Sequence, residues 1–463
     1  MIFRTLPALV PCCAAAFAQT APPAQTSRLY AIAEAPSAAR IMADIETLVG
    51  FGTRHTLSET ESDTRGIGAA RRWVKAEFET ISRNCGGCLE VREITDVIAG
   101  ERRIPEATEV VSIVAFQRGS LDPNRMVVMS GDIDSRVLDV MDAVSVSPGA
   151  NDNASGMAGV LEAARVLTQY EFPGTIVYAG LSGEEQGLFG GRIVAAEARR
   201  EGWDIKAVLN NDMISNIAGI DGVVANNTVR VFSEGVRADE TPEAARYRRY
   251  RGGEVDSPAR NLARYIERLA DEYIINLDAE MIYRLDRFGR GGHQTPFSEA
   301  GFPAVRIMET HEHYDRQHQD LRIEDGRAYG DTLDGVDADF AAKVTALNAI
   351  TMAGIAGAPP FPTDVELGGA VEPSASLSWA HGGDRRTRAN LAGYRVHWRK
   401  TTEPQWTHSR FVGKATNWTF ENLVVDNYFF GVSAVAEDGS ETPVVFPGPP
   451  GRFEPLAMER AGD

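Results

Sequence analysis

Cysteine is scarce in this 463-residue chain: four in all, two of them, Cys12 and Cys13, within the first 13 residues. Only Cys85 and Cys88 remain beyond that segment, and no second thiol pair exists to complete a cysteine zinc site with them. Positive charge is in deficit, 47 Lys plus Arg against 65 Asp plus Glu, for a net charge of −18. Such a surface repels phosphate backbones and anionic lipid, which argues against nucleic-acid or peripheral membrane partners. Past the N-terminus no uninterrupted apolar run is long enough to span a bilayer, so membrane insertion is not expected. No G-x-S-x-G elbow is present, which argues against a serine hydrolase of that type. What is there is ordinary globular usage, 43% hydrophobic and 24% charged, at a length that suits two or three domains.

Residues 1–18 carry Arg4, an apolar stretch from Leu6 to Ala18, and the small-residue ending Ala16-Phe17-Ala18. That is the layout of a secretory signal peptide cleaved near Ala18, which predicts a secreted or periplasmic protein. In an oxidising compartment Cys85 and Cys88 then read as a small disulfide pinning the turn Asn84-Cys85-Gly86-Gly87-Cys88. Residues 19–38, rich in Ala, Pro, Ser and Thr, read as a flexible lead-in.

Residues 39–357 alternate strands and helices. Buried strands are predicted at 125–130, 175–181, 207–210 and 304–308, with helices at 155–170, 193–199 and 337–356. The β-α-β-α-β order predicts a mostly parallel or mixed sheet with helices on both faces. Residues 218–290 are long, charged and less regular, and read as an insertion that shapes specificity; its run Arg246-Tyr247-Arg248-Arg249-Tyr250-Arg251 reads as a solvated face. Ala358-Pro359-Pro360-Phe361-Pro362 reads as a rigid linker. Residues 358–463 change to period two, with Ala375, Leu377 and Trp379, then Tyr394, Val396 and Trp398, then Tyr428, Phe430, Val432 and Ala434, which predicts an all-β sandwich. Its buried-Trp strand and the corner at 423–428 resemble a fibronectin type III module. Such a module either contacts a surface or polymer or stabilises its neighbour.

Acidic residues gather where the strands of the first domain end. Asp132 and Asp134 follow the first strand, Asp152 precedes a helix, Glu184 and Glu185 follow the second strand, and Asp212 ends the third. Ligands of doubly wound sheets bind beyond the carboxyl ends of the strands. Convergent carboxylates repel unless a cation gathers them. Arg136 is the one basic residue inside these motifs, so a metal is the expected counter-charge. Imidazole favours zinc over calcium or magnesium, and His293, His311, His313 and His318 fall within one 26-residue stretch.

The segments Gly149-Ala150-Asn151-Asp152-Asn153-Ala154-Ser155-Gly156, Ser182-Gly183-Glu184-Glu185-Gln186-Gly187-Leu188, Asn211-Asp212-Met213 and His293-Gln294-Thr295-Pro296-Phe297 resemble the M28-type zinc aminopeptidases. The resemblance implies an α/β fold and two zinc ions bridged by Asp152, one also held by Glu185 and the other by Asp212. It implies Glu184 as the general base, His318 as the last ligand and His293 as a lining residue. The family has a histidine at the position of Asp132 and an aspartate at that of Gly292, so the chain departs at both. Three consequences stay open at Asp132: it replaces the histidine in a two-ion site, the reading adopted here; the first ion is weak; or one ion suffices, as in glutaminyl cyclases. Asp134 would orient a neighbouring ligand. Zinc is the expected cofactor, peptides or proteins the substrates, and aminopeptidase action the expected reaction. A glutaminyl cyclase, a carboxypeptidase and a non-catalytic binding protein on the same fold are the rival readings.

Overall fold

Strands that are apolar on both faces need a helical layer on each side, and the centre of this chain is built that way. The computed structural model describes residues 21–23 and 26–448; the signal-peptide reading, Cys12 and Cys13 lie outside the described residues. The first domain begins with helices α1 (Ser27–Ala33), α2 (Ala38–Gly50) and α3 (Gly66–Asn84) and strands β1 (Leu89–Ile98), β2 (Thr108–Gln117) and β3 (Asp122–Asp132). It continues through α4 (Gly156–Leu167), β4 (Gly174–Leu181), α5 (Phe189–Glu201), β5 (Asp204–Asn211) and β6 (Thr228–Ser233). Then come α6 (Pro242–Arg251), α7 (Pro258–Tyr273), β7 (Asp278–Ile282), α8 (Gln294–Glu299) and β8 (Ala304–Glu309). A short hairpin, β9 (Arg322–Glu324) and β10 (Arg327–Tyr329), precedes α9 (Ala338–Gly357).

The eight-stranded sheet runs β1-β2-β4-β3-β5-β8-β6-β7. Its centre, β4-β3-β5-β8, is parallel, while β1, β2 and β6 join antiparallel. Along β3, Val127 and Met129 face the layer of α3, α4, α7 and α9, and Met126 and Val128 face α5 and α8. Every residue of β4 is buried. Helix α9 is apolar all round, as a helix enclosed on every side must be. By length and composition it could cross a membrane, yet it lies buried against α1, α2, α4, α7, β3 and β4.

Two stretches are more ordered than their composition suggests. Within 19–38, Leu29 and Ile32 of α1 reach the core, and the Thr26 N–H donates to the Tyr273 hydroxyl at 3.0 Å. Helix α1 is therefore a packed element where a flexible lead-in was expected. Within 218–290, β6 and β7 extend the main sheet and α7 buries Leu262, Ile266 and Leu269, so this segment is largely scaffold. The basic run 246–251 lies on α6, which buries no residue.

The C-terminal region comprises β11 (Thr363–Gly368), β12 (Ala375–Ala380), β13 (Leu391–Lys400), β14 (His408–Phe411), β15 (Asn417–Phe420) and β16 (Tyr428–Ala436). They form two three-stranded antiparallel sheets, β11-β12-β15 and β14-β13-β16. Trp379, Tyr394, Phe420 and Phe430 fill the space between them. The outer face of β13 is also buried, because it packs on α7: Asp256 takes Arg264 at 3.0 Å and Arg399 at 2.7 Å, all three 2% exposed or less. Trp406 Nε1 donates to Asn261 Oδ1 at 3.0 Å across the same seam. The Pro-rich stretch before β11 is itself packed, with Ala358 and Phe361 buried. Cys85 and Cys88 are joined as a disulfide at the turn between α3 and β1.

Candidate metal centre

Strands β3, β4 and β5 lie side by side and end at one edge, so Asp132, Glu184, Glu185 and Asp212 share it. Two glycines let the start of α4 enter that edge. A Cβ on Gly131 would lie 2.6 Å from the Gly156 backbone, and one on Gly156 would lie 2.3 Å from the Asn211 carbonyl. The close approach brings the loop carrying Asp152 in front of the strand ends.

Three side chains converge there. His318 Nε2 lies 2.8 Å from Asp152 Oδ2 and 3.0 Å from Glu185 Oε1. Among the described residues this is the group whose donor atoms all fall within 4.8 Å of one another. Two carboxylate oxygens and an imidazole nitrogen are a donor set that zinc takes, so these residues fit the ion. Burial lowers the His318 pKa, but Glu185 and Asp152 outweigh it and bring the imidazole up to about 9. Burial pushes Asp152 the other way, yet His318, Arg287 and Arg306 hold its carboxyl below the usual range. Arg136 Nε donates to Glu185 Oε2 at 2.7 Å, and its Nη2 lies 2.6 Å from His318 Nδ1. A ligating imidazole presents an N–H at that nitrogen, so an ion on Nε2 requires this guanidinium to turn.

Asp132 and Asp212 are held differently. Asp132 Oδ1 accepts from His293 Nδ1 at 2.5 Å and Oδ2 from Asn153 Nδ2 at 2.7 Å. Asp212 Oδ2 is paired with Arg306 Nη2 at 2.7 Å, with both side chains buried. Arg306 enters from β8, next to β5 in the sheet, and also meets Asp286 at 3.2 Å and the Gly291 carbonyl at 2.7 Å. Arg136 is therefore not the sole cation at the cluster: the fold delivers Arg306 from nearly a hundred residues downstream of Asp212. Asp212 Oδ1 and His293 Nε2 are buried with no hydrogen-bond partner among the described residues. Burial pushes the His293 imidazole down to about 4, leaving it neutral.

Glu184 stands beside the trio with no hydrogen bond or ion pair on its carboxyl among the described residues. Burial, then Glu185, Asp212, Asp132 and Asp152, raise its pKa well above the ordinary value. An unpaired carboxyl beside the trio is placed as a general base would be. The backbone under it is fixed by Asp134, whose oxygens accept from the Glu184 N–H at 3.3 Å, the Glu185 N–H at 3.1 Å and the Thr56 hydroxyl at 3.0 Å. Asp134 thus orients the Glu184-Glu185 turn.

Three further residues hold the site in place. Asp331 accepts from the backbone N–H of Asn151 at 2.9 Å and of Asp152 at 2.7 Å, which fixes the loop beneath Asp152. Arg54 donates to the carbonyls of Ile133, Pro148 and Gly149. Asn153 Oδ1 accepts from the Gly156 N–H at 3.0 Å, so Asn153 supplies the helix-start contact that Asp152 could have made. The motif N-D-N marks Asn153 in sequence; Arg54 and Asp331 are found only through the fold. His311 pairs instead with the exposed Asp221, and His313 does not join the trio.

A mixed sheet with acidic side chains and one imidazole focused at its carboxyl edge is the arrangement of a metal-dependent hydrolase. Comparison with known proteins makes this specific. Residues 113–336 match the profile of Peptidase family M28. A probable zinc metalloprotease of Leptosphaeria maculans is 40% identical over 428 residues, 92% of this chain and 98% of the relative. One from Pyricularia oryzae is 40% identical over 415 residues, 89% of this chain and 82% of the relative. The chain belongs to peptidase family M28 and is a zinc metallopeptidase. Among solved structures, Legionella pneumophila LapA matches with a TM-score of 0.52 at 18% identity, covering 71% of this chain and 76% of that one. LapB of the same organism matches at 0.51 and 18%, covering 71% and 75%. At that identity the likeness is one of fold.

Proposed function

We propose that this zinc peptidase is an exported aminopeptidase that removes residues from the free N-terminus of peptides. The observation that carries the reading is Asp212 Oδ1, a buried carboxylate oxygen with no donor, beside the unpaired carboxyl of Glu184. Arg136, Arg287 and Arg306 each already face a carboxylate. The site therefore offers acceptors to an ammonium group, while Arg103, the further cation beside it, donates to the Glu185 carbonyl.

Asp152, Glu185 and His318 would hold the zinc. When bound, the ion polarises the scissile carbonyl and makes a coordinated water more acidic. Glu184 takes the proton of the attacking water and passes it to the departing amine. Asp134 keeps Glu184 in place through its backbone, and Asp212 Oδ1 accepts from the substrate's α-ammonium. Export is supported by the apolar N-terminal segment and by the Cys85–Cys88 disulfide.

Release of a free amino acid from an unblocked peptide, with no release from its N-acetylated twin, is the expected result. Equal cleavage of the two would overturn the aminopeptidase reading. A glutaminyl cyclase is the second reading, favoured by the single convergent trio; a peptide with N-terminal Gln separates the two, since cyclisation releases ammonia and no amino acid.

A further inference from the structure

We infer that this peptidase works with one zinc ion per chain, and that the Arg306 guanidinium occupies electrostatically the place of a second ion. The inference rests on the metallopeptidase reading and concerns how its acidic cluster is neutralised. Two independent observations carry it. Asp132 stands where the resemblance calls for an imidazole ligand, and both its oxygens are already taken, by His293 at 2.5 Å and Asn153 at 2.7 Å. The second candidate ligand, Asp212, gives one oxygen to Arg306 at 2.7 Å, and Arg306 is itself fully buried.

A fixed positive charge directly behind a carboxylate competes with a divalent cation for the same electrons. Arg306 is not free to leave, because Asp286 and the Gly291 carbonyl hold its other nitrogen. Asp286 and Gly291 anchor a single tool: a guanidinium aimed from β8 across the sheet edge at Asp212. The convergence of donor atoms agrees, since Asp132, Asp152 and Asp212 form no group comparable with Asp152, Glu185 and His318 among the described residues. The consequence for substrate binding is direct. With no ion at Asp212, its free oxygen is left for the ammonium group of the peptide.

The test is a metal count on the purified full chain, loaded with excess zinc and dialysed against zinc-free buffer. One zinc per chain is expected, falling towards none in Asp152→Asn and staying at one in Asp212→Asn. Two zinc ions per chain in the unaltered protein would overturn the inference and leave the metallopeptidase assignment standing. No zinc at all, with hydrolysis indifferent to chelator, would instead overturn that assignment for this chain. The double variant Asp132→His, Arg306→Met restores an imidazole and removes the guanidinium, so its count is expected to rise to two. A folded double variant that still binds one would remove the role given to Arg306. If the double variant does not fold, the count on the unaltered chain and on Asp212→Asn decides the matter.

Discussion

The two halves of the acidic cluster solve one electrostatic problem in different ways. On one side Asp152 and Glu185 lean towards an imidazole, and three donor atoms are left pointing at a common centre. On the other, Asp132 is satisfied within the protein by a neutral histidine and an asparagine, and one oxygen of Asp212 is paired with a buried guanidinium. An ion is needed where the protein provides too little positive charge, and is superfluous where an arginine has been built in. Identical residue types on adjacent strand ends can therefore have opposite roles.

The largest expected effect tests which side does chemistry. Glu184→Gln should lower turnover by roughly 10²- to 10⁴-fold while zinc content, read by elemental analysis, stays unchanged. Unaltered turnover would remove Glu184 from the mechanism. Next, Arg306→Met should cost about 3–5 kcal/mol of stability, because it strands Asp212 as a buried uncompensated carboxylate and leaves Asp286 with Arg287 as its remaining ion-pair partner. Denaturant unfolding measures this, and a loss under 1 kcal/mol would mean that the guanidinium does not neutralise that half. Third, Asp331→Ala frees the loop beneath Asp152 and should weaken zinc about 10- to 100-fold, as a competition titration with a chelator would show. The same substitution leaves the Asp212–Arg306 pair untouched, so it separates the halves.

The smallest effect concerns a remote carboxylate neutralised as Asp212 is. Glu441 lies by Arg395 at 3.3 Å, His397 at 3.3 Å and Arg268 at 3.9 Å, where the sandwich meets α7. Burial raises its pKa, but His397, Arg268 and Arg395 pull it well below the ordinary 4.5. A depressed acid contributes stability above its unfolded pKa and loses it as pH falls towards the folded one. Acid unfolding below pH 4.5 should therefore be less steep in Glu441→Gln than in the unaltered chain. Identical acid limbs would show that this carboxylate contributes nothing.

The central strands, α4, α5 and α9 were legible because apolar runs and helical spacing are local properties. Residues 125–130 and 175–181 lie within β3 and β4, and 207–210 within β5. The outer strands were harder to see. β1 is largely exposed and β6 and β7 are short and charged, so their membership of the sheet depends on pairing with distant partners. Helix α1 was hidden by its Ala- and Pro-rich surroundings, although Leu29 and Ile32 find the core. The carboxylates and His318 were legible through their motifs. Arg54, Asp331 and Arg306 were not, since nothing near them in the chain distinguishes them from other charged residues.

From residue order alone came the strands that must be buried, the acidic side chains that must end them, and therefore a cluster of negative charge needing a counter-ion. Short-range patterning and the fixed direction of parallel strands are enough to dictate that much. How the charge is shared out was decided by folding. Only when β8 lies against β5 does Arg306 reach Asp212, and only then do two similar acidic pairs become an ion site and an ion pair. Electrostatic partners are chosen by distance in space, which the order of residues does not contain.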